Sequence, residues 1–296
     1  MQKDGSLARK QKRVDIDVAA AAFDLFDAYE GALRPFFAAI GSSTTLRWLS
    51  VPNAGLDSPV FSSMLARGVR ITNAHVTDIP ISEYVLRAVL DHFQQAELWR
   101  DAQRRTAWDR HQFREVAGTR WLIVGLGTIG SAVAVRAKAF GAHVTGCRRS
   151  PTGSEPVDAF VAPPDLHAAL PTADVVVLCL PSASDAPPLV DAAFLDAMGP
   201  RSVLVNIARG SLIDEAALVS ALDRGRPEAA LLDVMVTEPL PAESPLWRHP
   251  AVVLTPHNSA GGFDRYGRYD DLLVDNLGRF ARGEALRNEI TLATIA

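Results

Sequence analysis

Three polar side chains, far apart along the chain, have the chemistry to act on a small carbonyl acid. Arg209 follows the apolar run SVLVNI (202–207), Glu238 comes shortly after LLDVM (231–235), and His257 follows VVL through Thr255 and Pro256. A guanidinium grips a planar carboxylate through two parallel hydrogen bonds. An imidazole passes a proton to or from a carbonyl or hydroxyl oxygen near neutral pH, and a neighbouring carboxylate favours its protonated form. Each residue alone has a duller explanation. Arg209 can pair with a surface carboxylate, Glu238 can be a solvated loop acid, and His257 can serve only its loop. At the ends of three apolar runs they are expected to converge as one catalytic set.

A second constellation binds rather than reacts. The run WLIVGLGTIG (121–130) feeds directly into Gly125-x-Gly127-x-x-Gly130. One such glycine lets a strand turn sharply into a helix, the second lets main chain touch a diphosphate, and the third lets helix and strand pack closely. The helix start adds unpaired N–H groups and a positive dipole end. A glycine-rich hexapeptide in isolation is a weak signal. Here, residues 131–140 (SAVAVRAKAF) have apolar positions at helical spacing, Gly141 closes them, and 142–147 reads as a second strand. That is a complete beta-alpha-beta unit, which predicts dinucleotide binding.

The end of that second strand discriminates between cofactors. An NAD site places an acid about 20 residues past the glycines, on the ribose hydroxyls. This chain has Cys147-Arg148-Arg149-Ser150 instead. Two guanidiniums and a hydroxyl suit a 2′-phosphate, so Arg148, Arg149 and Ser150 predict NADP(H) as the preferred cofactor, with NAD(H) possible. The alternative is that the arginines are solvated loop charges and cofactor choice is relaxed.

The elements that must position these residues alternate along the chain. Past the glycine turn, helices are expected at 165–170, 191–198 and 214–224, and strands at 174–180, 202–207, 229–234 and 252–254. Near-continuous apolar strands alternating with helices predict an α/β fold, a Rossmann-type doubly wound parallel sheet covered on both faces. Ligands in such sheets bind beyond the carboxyl ends of the strands. Cofactor contacts are therefore expected at Thr128, Ile129, Leu180, Pro181, Ile207, Ala208, Asp233 and Ser259, besides the three glycines. Nearer the front, 14–40 reads as helical and alanine-rich. Strand 46–51, a glycine turn through Asn53-Ala54-Gly55, helix 60–67 and strand 69–73 follow. Residues 78–80 break the chain before one long packing helix over 81–103, and a last amphipathic helix spans 269–282.

A chain of 296 residues with 48% hydrophobic and 22% charged content is long and apolar enough for two packed domains, which excludes disordered and fibrous classes. A net charge of −4 offers no basic footprint for nucleic acid. No apolar stretch has the length of a membrane span, and the N-terminus lacks the apolar core of a signal peptide. Two separated cysteines, Cys147 and Cys179, with no metal-ligand spacing, point to a reducing compartment, hence the cytoplasm, and no metal site is expected.

The stretches GLGTIG, VNIARGSLIDEAAL, LLDVMVTEPLPAESPLW, LTPHNSA and DNLGRFARGEALRN, with LRWLSVPNAGLD and ITNAHVTDIPISEYVL nearer the front, resemble the D-isomer-specific 2-hydroxyacid dehydrogenase family over most of the chain from Leu46 onward. The resemblance implies hydride transfer between a nicotinamide and C2 of a 2-oxo acid, with glyoxylate and hydroxypyruvate the leading substrates. Arg209 would hold the substrate carboxylate and carbonyl, His257 would donate the proton, and Glu238 would tune His257. Backbone amides of Ala54 and Gly55 would help hold the carboxylate. Those two residues would lie in a smaller flavodoxin-like substrate domain built from 1–80 and 266–296, beside a dinucleotide-binding domain over 81–265 that includes the 81–103 helix. A homodimer through that helix is a further implication. Trp48, Trp108, Trp247 and Tyr269 are candidates to line the substrate pocket.

Two departures from the family pattern stand out. The region before Leu46 reads as too short and polar for a complete flavodoxin-like start, so an abbreviated substrate domain is expected. The loop after DVVVLCL reads Pro181-Ser182-Ala183-Ser184-Asp185-Ala186 where the family commonly has Pro-Leu-Thr-x-x-Thr. The rival functions are an NAD-dependent D-lactate or sugar-acid dehydrogenase and a co-repressor-like sensor that binds dinucleotide with little turnover.

Overall fold

The computed structural model of the chain describes residues 15–23, 25, 31–52, 58–181 and 186–292. The chain divides into two compact units, one formed by 78–261 and the other by 1–77 with 262–296.

The larger unit is organised around a seven-stranded parallel sheet. Its strands are β4 (Arg120–Val124), β5 (His143–Cys147), β6 (Ala159–Val161), β7 (Val175–Leu178), β8 (Val203–Asn206), β9 (Ala229–Leu232) and β10 (Val252–Leu254). Their spatial order is β10-β9-β8-β7-β4-β5-β6. The chain runs outward from β4 to β6 and then crosses back to β7 on the other side of β4. This reversal between β4 and β7 opens a crevice at the carboxyl ends of the strands.

Alternation along each strand sends side chains to opposite faces. Leu122, Val124, Val176, Leu178, Leu204, Ala230 and Leu232 enter one core. Trp121, Ile123, Val175, Val177, Val203, Val205 and Leu231 enter the other. Both sets are buried, which is why β7, β8 and β9 read as unbroken apolar runs. Phe194, Leu195, Leu218 and Leu222 of the helices Ala192–Ala197 and Glu215–Asp223, with Met198 just past the first, cover the first face. The second is covered by Val133, Ala134 and Ala137 of the helix Thr128–Ala139, together with Ile81, Val85 and Val89.

The long helix expected over 81–103 is instead two helices, Asp78–Phe93 and Ala96–Arg104. Gln95 between them has a left-handed φ of 52°. The carbonyls of Phe93 and Gln94 do not bond to the next turn; they accept from the Arg114 amide (3.0 Å) and the His111 ring (2.9 Å) of the returning chain. The expected break at 78–80 is absent as well, because Pro80 falls in the first helical turn, where its missing N–H costs nothing. Strand β6 is short and largely exposed, and its period-2 signal is too brief to read from sequence.

In the smaller unit, β1 (Val18–Ala20), β2 (Trp48–Val51) and β3 (Arg70–Asn73) run parallel, and β11 (Glu289–Ile290) closes the order β1-β2-β3-β11 antiparallel to β3. Val18–Ala20 was expected to be helical from its alanine content. Pairing with the fully buried β2 overrides that propensity and supplies a strand before Leu46. A bidentate ion pair, Arg70 Nε to Glu289 Oε1 (2.7 Å) and Nη2 to Oε2 (2.6 Å), ties β11 to β3. Trp48 and Tyr269 are core residues of this unit, 0% and 2% exposed. The Trp48 indole donates to Thr72 Oγ1 (3.0 Å) and the Tyr269 hydroxyl to Ser50 Oγ (3.2 Å). Neither side chain lines an open pocket, which corrects that expectation. Among the described residues no helix is long and apolar enough to cross a membrane.

Candidate active site

The three glycines of the fingerprint occupy three different environments. Gly125 leaves β4 with φ +102°, and its N–H donates to the Cys147 carbonyl at the end of β5 (2.9 Å). A Cβ there would stand 2.6 Å from the Cys179 carbonyl oxygen, just past β7, and 3.0 Å from Leu180 Cδ2. The first glycine is thus wedged at the crossover between the two halves of the sheet. A Cβ on Gly130 would lie 2.0 Å from the Gly125 oxygen and 3.2 Å from Ile123 Cγ2, so the third glycine sets how closely the helix approaches the strand. Gly127 caps the helix in extended backbone (φ −80°, ψ −163°), and nothing lies within 4 Å of where its Cβ would be. The wall that touches nothing in the protein is the wall open to a ligand. Gly127 and Thr128 are exposed and Ile129 is half-buried, at the start of a helix of 12 residues whose first N–H groups lack intrahelical partners. This cradle fits a dinucleotide diphosphate.

Past β5, Arg148 is half-buried, and Arg149 and Ser150 are exposed. Arg148 does not stand alone. Its Nη1 donates to the Leu126 carbonyl (3.2 Å) and to Glu155 Oε1 (2.5 Å). Glu155 went unnoticed in the sequence because it lies beyond the position where an acid is normally sought.

At the other half of the sheet, a buried carboxylate assembles the loop after β10. Asp233, directly after β9, is 0% exposed. Its Oδ1 accepts from Thr255 Oγ1 (2.5 Å) and the Asn258 amide (2.8 Å), its Oδ2 from the Ser259 amide (2.9 Å), and its carbonyl from the His257 amide (2.7 Å). Thr255 Oγ1 also bonds the Tyr84 hydroxyl (2.7 Å), whose pKa burial pushes up. The main chain is bent back so tightly that His257 takes a left-handed φ of 50°. A non-glycine residue pays about 1–2 kcal/mol for that conformation. Its second backbone bond, to the Thr255 carbonyl (3.0 Å), helps to hold it there.

The bend turns the imidazole onto Glu238. His257 Nδ1 lies 2.8 Å from Glu238 Oε2, while Glu238 Oε1 accepts from the Met235 amide (2.9 Å). With Nδ1 engaged, Nε2 is left to face a reactant, and the side chain is 52% exposed. Arg209 reaches the same neighbourhood through backbone packing. The buried Asn206 brackets its turn, donating to the Arg209 carbonyl (2.9 Å) and accepting from the Ala208 amide (3.1 Å). Gly210 then abuts the Met235–Val236 peptide, so that a Cβ would lie 1.9 Å from Met235 C. The loop carrying Arg209 therefore presses on the loop that orients Glu238. The guanidinium itself donates to the Ala208 carbonyl (2.8 Å).

Ile207, Ala208, Asp233 and Ser259 are buried just past strand ends of this sheet, and Leu180 and Pro181 follow β7. Ala54 and Gly55 lie outside the described residues, as does most of the variant loop after Pro181. Trp108 is 88% exposed, and Trp247 is half-exposed with its indole on the Pro241 carbonyl (2.9 Å). Asn206, Thr255 and Tyr84 were missed by sequence reasoning. For Asn206 a signal was available: an amide side chain ending an otherwise apolar buried strand needs partners at that end.

Comparisons with known proteins fit this arrangement. The model of the D-isomer specific 2-hydroxyacid dehydrogenase NAD binding domain matches residues 86–259. Glyoxylate/hydroxypyruvate reductase A of Salmonella paratyphi B is 30% identical over 217 residues, covering 73% of this chain and 68% of the relative. Among solved structures, a D-isomer specific 2-hydroxyacid dehydrogenase family protein from Aeromonas salmonicida aligns with a TM-score of 0.78 at 32% identity, covering 93% of this chain and 84% of that one. A D-isomer specific 2-hydroxyacid dehydrogenase from Xanthobacter autotrophicus, in complex with NADPH and MES, aligns with a TM-score of 0.72 at 30% identity over 86% of this chain and 80% of its own. The matched span runs from the helix before the glycine turn through the Arg209 and Glu238 loops to Ser259, and with it the chain belongs to the D-isomer specific 2-hydroxyacid dehydrogenase family.

Proposed function

We propose that the protein is an NADP(H)-preferring reductase of small 2-oxo acids, glyoxylate or hydroxypyruvate foremost. The observation that carries this reading is the His257–Glu238 pair at 2.8 Å, with the outer imidazole nitrogen open, in the same sheet as a glycine cradle shaped for a diphosphate. The bound nicotinamide would supply or accept the hydride at C2 of the acid. Arg209 grips the carboxylate and orients the carbonyl. His257 delivers its proton from Nε2 to the oxygen on C2, and Glu238, as a positioning residue, holds the ring through Nδ1. The name of the Salmonella relative and the NADPH bound to the Xanthobacter protein support substrate and cofactor.

The test is loss of the near-ultraviolet absorbance of NADPH, then NADH, against a panel of 2-oxo acids. Rapid NADPH oxidation by glyoxylate or hydroxypyruvate is expected. Tight nucleotide binding without turnover on any acid would leave the sensor reading instead. Pairing of two copies through the helices at 78–104 is part of the proposal, supported by exposed Leu98, Trp99, Trp108 and Phe113 on and after them. Sedimentation as a monomer at micromolar concentration would remove it.

A further inference from the structure

The two arginines past β5 would, taken alone, make a strongly cationic 2′-phosphate site. A carboxylate already stands in it. Glu155 is 4% exposed in its side chain, and both of its oxygens accept hydrogen bonds. Oε1 accepts from Arg148 Nη1 (2.5 Å) and from the Thr152 amide (2.8 Å), and Oε2 accepts from the Gly153 amide (2.9 Å). The segment after Ser150 thus wraps around its own anion, and the partner of that anion is the guanidinium that also touches the glycine turn at Leu126. Hydrogen bonds from Thr152, from its own amide and from the Gly153 amide hold Glu155 down to a pKa of about 2, so it is charged at neutral pH.

We propose that Glu155 is a cofactor-specificity determinant that offsets the charge of Arg148 and so relaxes the choice between NADP(H) and NAD(H); this rests on the dinucleotide reading above. Glu155 does not act as the ribose-binding acid of an NAD site. Its carboxylate is buried and turned towards Arg148 and the Thr152 and Gly153 amides of its own loop. It acts through its field. An anion that shares the Arg148 guanidinium with Glu155 is repelled by the carboxylate. That repulsion falls on the 2′-phosphate of NADPH and leaves NADH, which lacks one, unaffected. No carboxylate pairs with Arg149 among the described residues, so that side chain with Ser150 becomes the main attraction for the phosphate.

The sign is opposite to what a merely structural clip gives. If Glu155 only braced its loop, removing it would weaken both nucleotides alike. The measurement is the dissociation constant of NADPH and of NADH by nucleotide fluorescence, without substrate, for wild type, Glu155→Gln, Arg148→Gln and the double variant. Glu155→Gln is expected to shift the NADPH-over-NADH affinity ratio about tenfold towards NADPH, or about 1.4 kcal/mol, at low ionic strength, and less in high salt. Arg148→Gln leaves Glu155 without its cation and should weaken NADPH at least tenfold with NADH within about threefold. Adding Glu155→Gln to Arg148→Gln should recover most of that loss. An unchanged ratio in Glu155→Gln, equal weakening of both nucleotides, or no recovery in the double variant overturns the proposal. A wild-type protein that binds neither nucleotide overturns the dinucleotide reading itself, and this inference with it.

Discussion

The glycine turn after β4 and the histidine loop after β10 lie at the same edge of one sheet and are built by opposite means. The turn works by subtraction: Gly125 and Gly130 are packed so closely against main chain that no side chain fits, and Gly127 leaves bare backbone facing outward. The loop works by addition: the buried carboxylate of Asp233 gathers Thr255, Asn258 and Ser259 around itself, and the resulting bend presents His257 to Glu238. A turn made by exclusion tolerates no added atoms at Gly125 or Gly130 but asks nothing of charge. A loop made by a buried anion tolerates changes in shape better than changes in polarity. Substitutions can therefore separate the two, and also separate binding from turnover.

The largest effect is expected from His257→Ala. General acid catalysis by a positioned side chain contributes about 10²–10⁴-fold, and kcat should fall by that range. The nucleotide dissociation constant should stay within a factor of about three, since the glycine turn is untouched. Equal loss of binding and turnover would show that the two regions are not separable.

Next is Gly130→Ala. The added methyl would meet the Gly125 carbonyl oxygen at 2.0 Å, a backbone atom that has no rotamer to relieve the clash. A destabilisation of about 3 kcal/mol is expected, read as a lower urea midpoint, together with loss of nucleotide binding. The cysteines report on the same turn, because the Cys147 and Cys179 carbonyls flank Gly125. Burial pushes both thiols up, Cys179 to about 12, so slow reaction with thiol reagents is expected at pH 7 in the native protein. In Gly130→Ala they should react markedly faster, and with a rate that rises with pH as thiolate forms. Unchanged thiol protection would mean that the turn absorbs the methyl.

The same contrast explains what was legible before any coordinates. Subtraction leaves a mark in the sequence, since the glycines must sit at fixed spacing after an apolar run, and β4, the helix and β5 were readable from that mark with ends shifted by one to three residues. Addition leaves little. Asp233 and Ser259 read only as residues past strand ends, and the bonds that join Asp233 to Thr255, Asn258 and Ser259 do not show until strands β9 and β10 are laid side by side. Glu155 is invisible for a related reason: its meaning depends on the loop folding back onto Arg148. The alanine-rich 18–20 segment and the supposed continuous helix over 81–103 were misread where long-range pairing, to β2 and to the 111–114 segment, overrode local propensity.

Asp233→Asn probes the histidine loop without removing its volume. An amide retains one acceptor but turns a donor towards either the Ser259 amide or the Asn258 and Thr255 donors, so at least one charge-assisted bond becomes a donor–donor conflict. Each such bond is worth about 1.5–3 kcal/mol, and a stability loss near 2 kcal/mol is expected. The His257 amide keeps its bond to the Asp233 carbonyl, so kcat should fall about ten- to a hundredfold, less than in His257→Ala. Stability equal to wild type would mean that the loop holds its shape without the anion.

The smallest structural effect belongs to Gly127→Ala, and it is the sharpest test of the turn. Its φ of −80° suits any residue, and no atom lies within 4 Å of the added methyl. Thermal stability should match wild type within about 0.5 kcal/mol, the usual range for a surface substitution. If the open wall is where the diphosphate meets main chain, that same methyl stands between backbone and phosphate, and NADPH and NADH should weaken together by tenfold or more. A variant that keeps both its stability and its nucleotide affinity would place the diphosphate elsewhere. One that loses stability would mean that Gly127, like Gly130, serves the fold. Only the combination of intact folding and lost binding assigns to this glycine a role different from its neighbour three residues on.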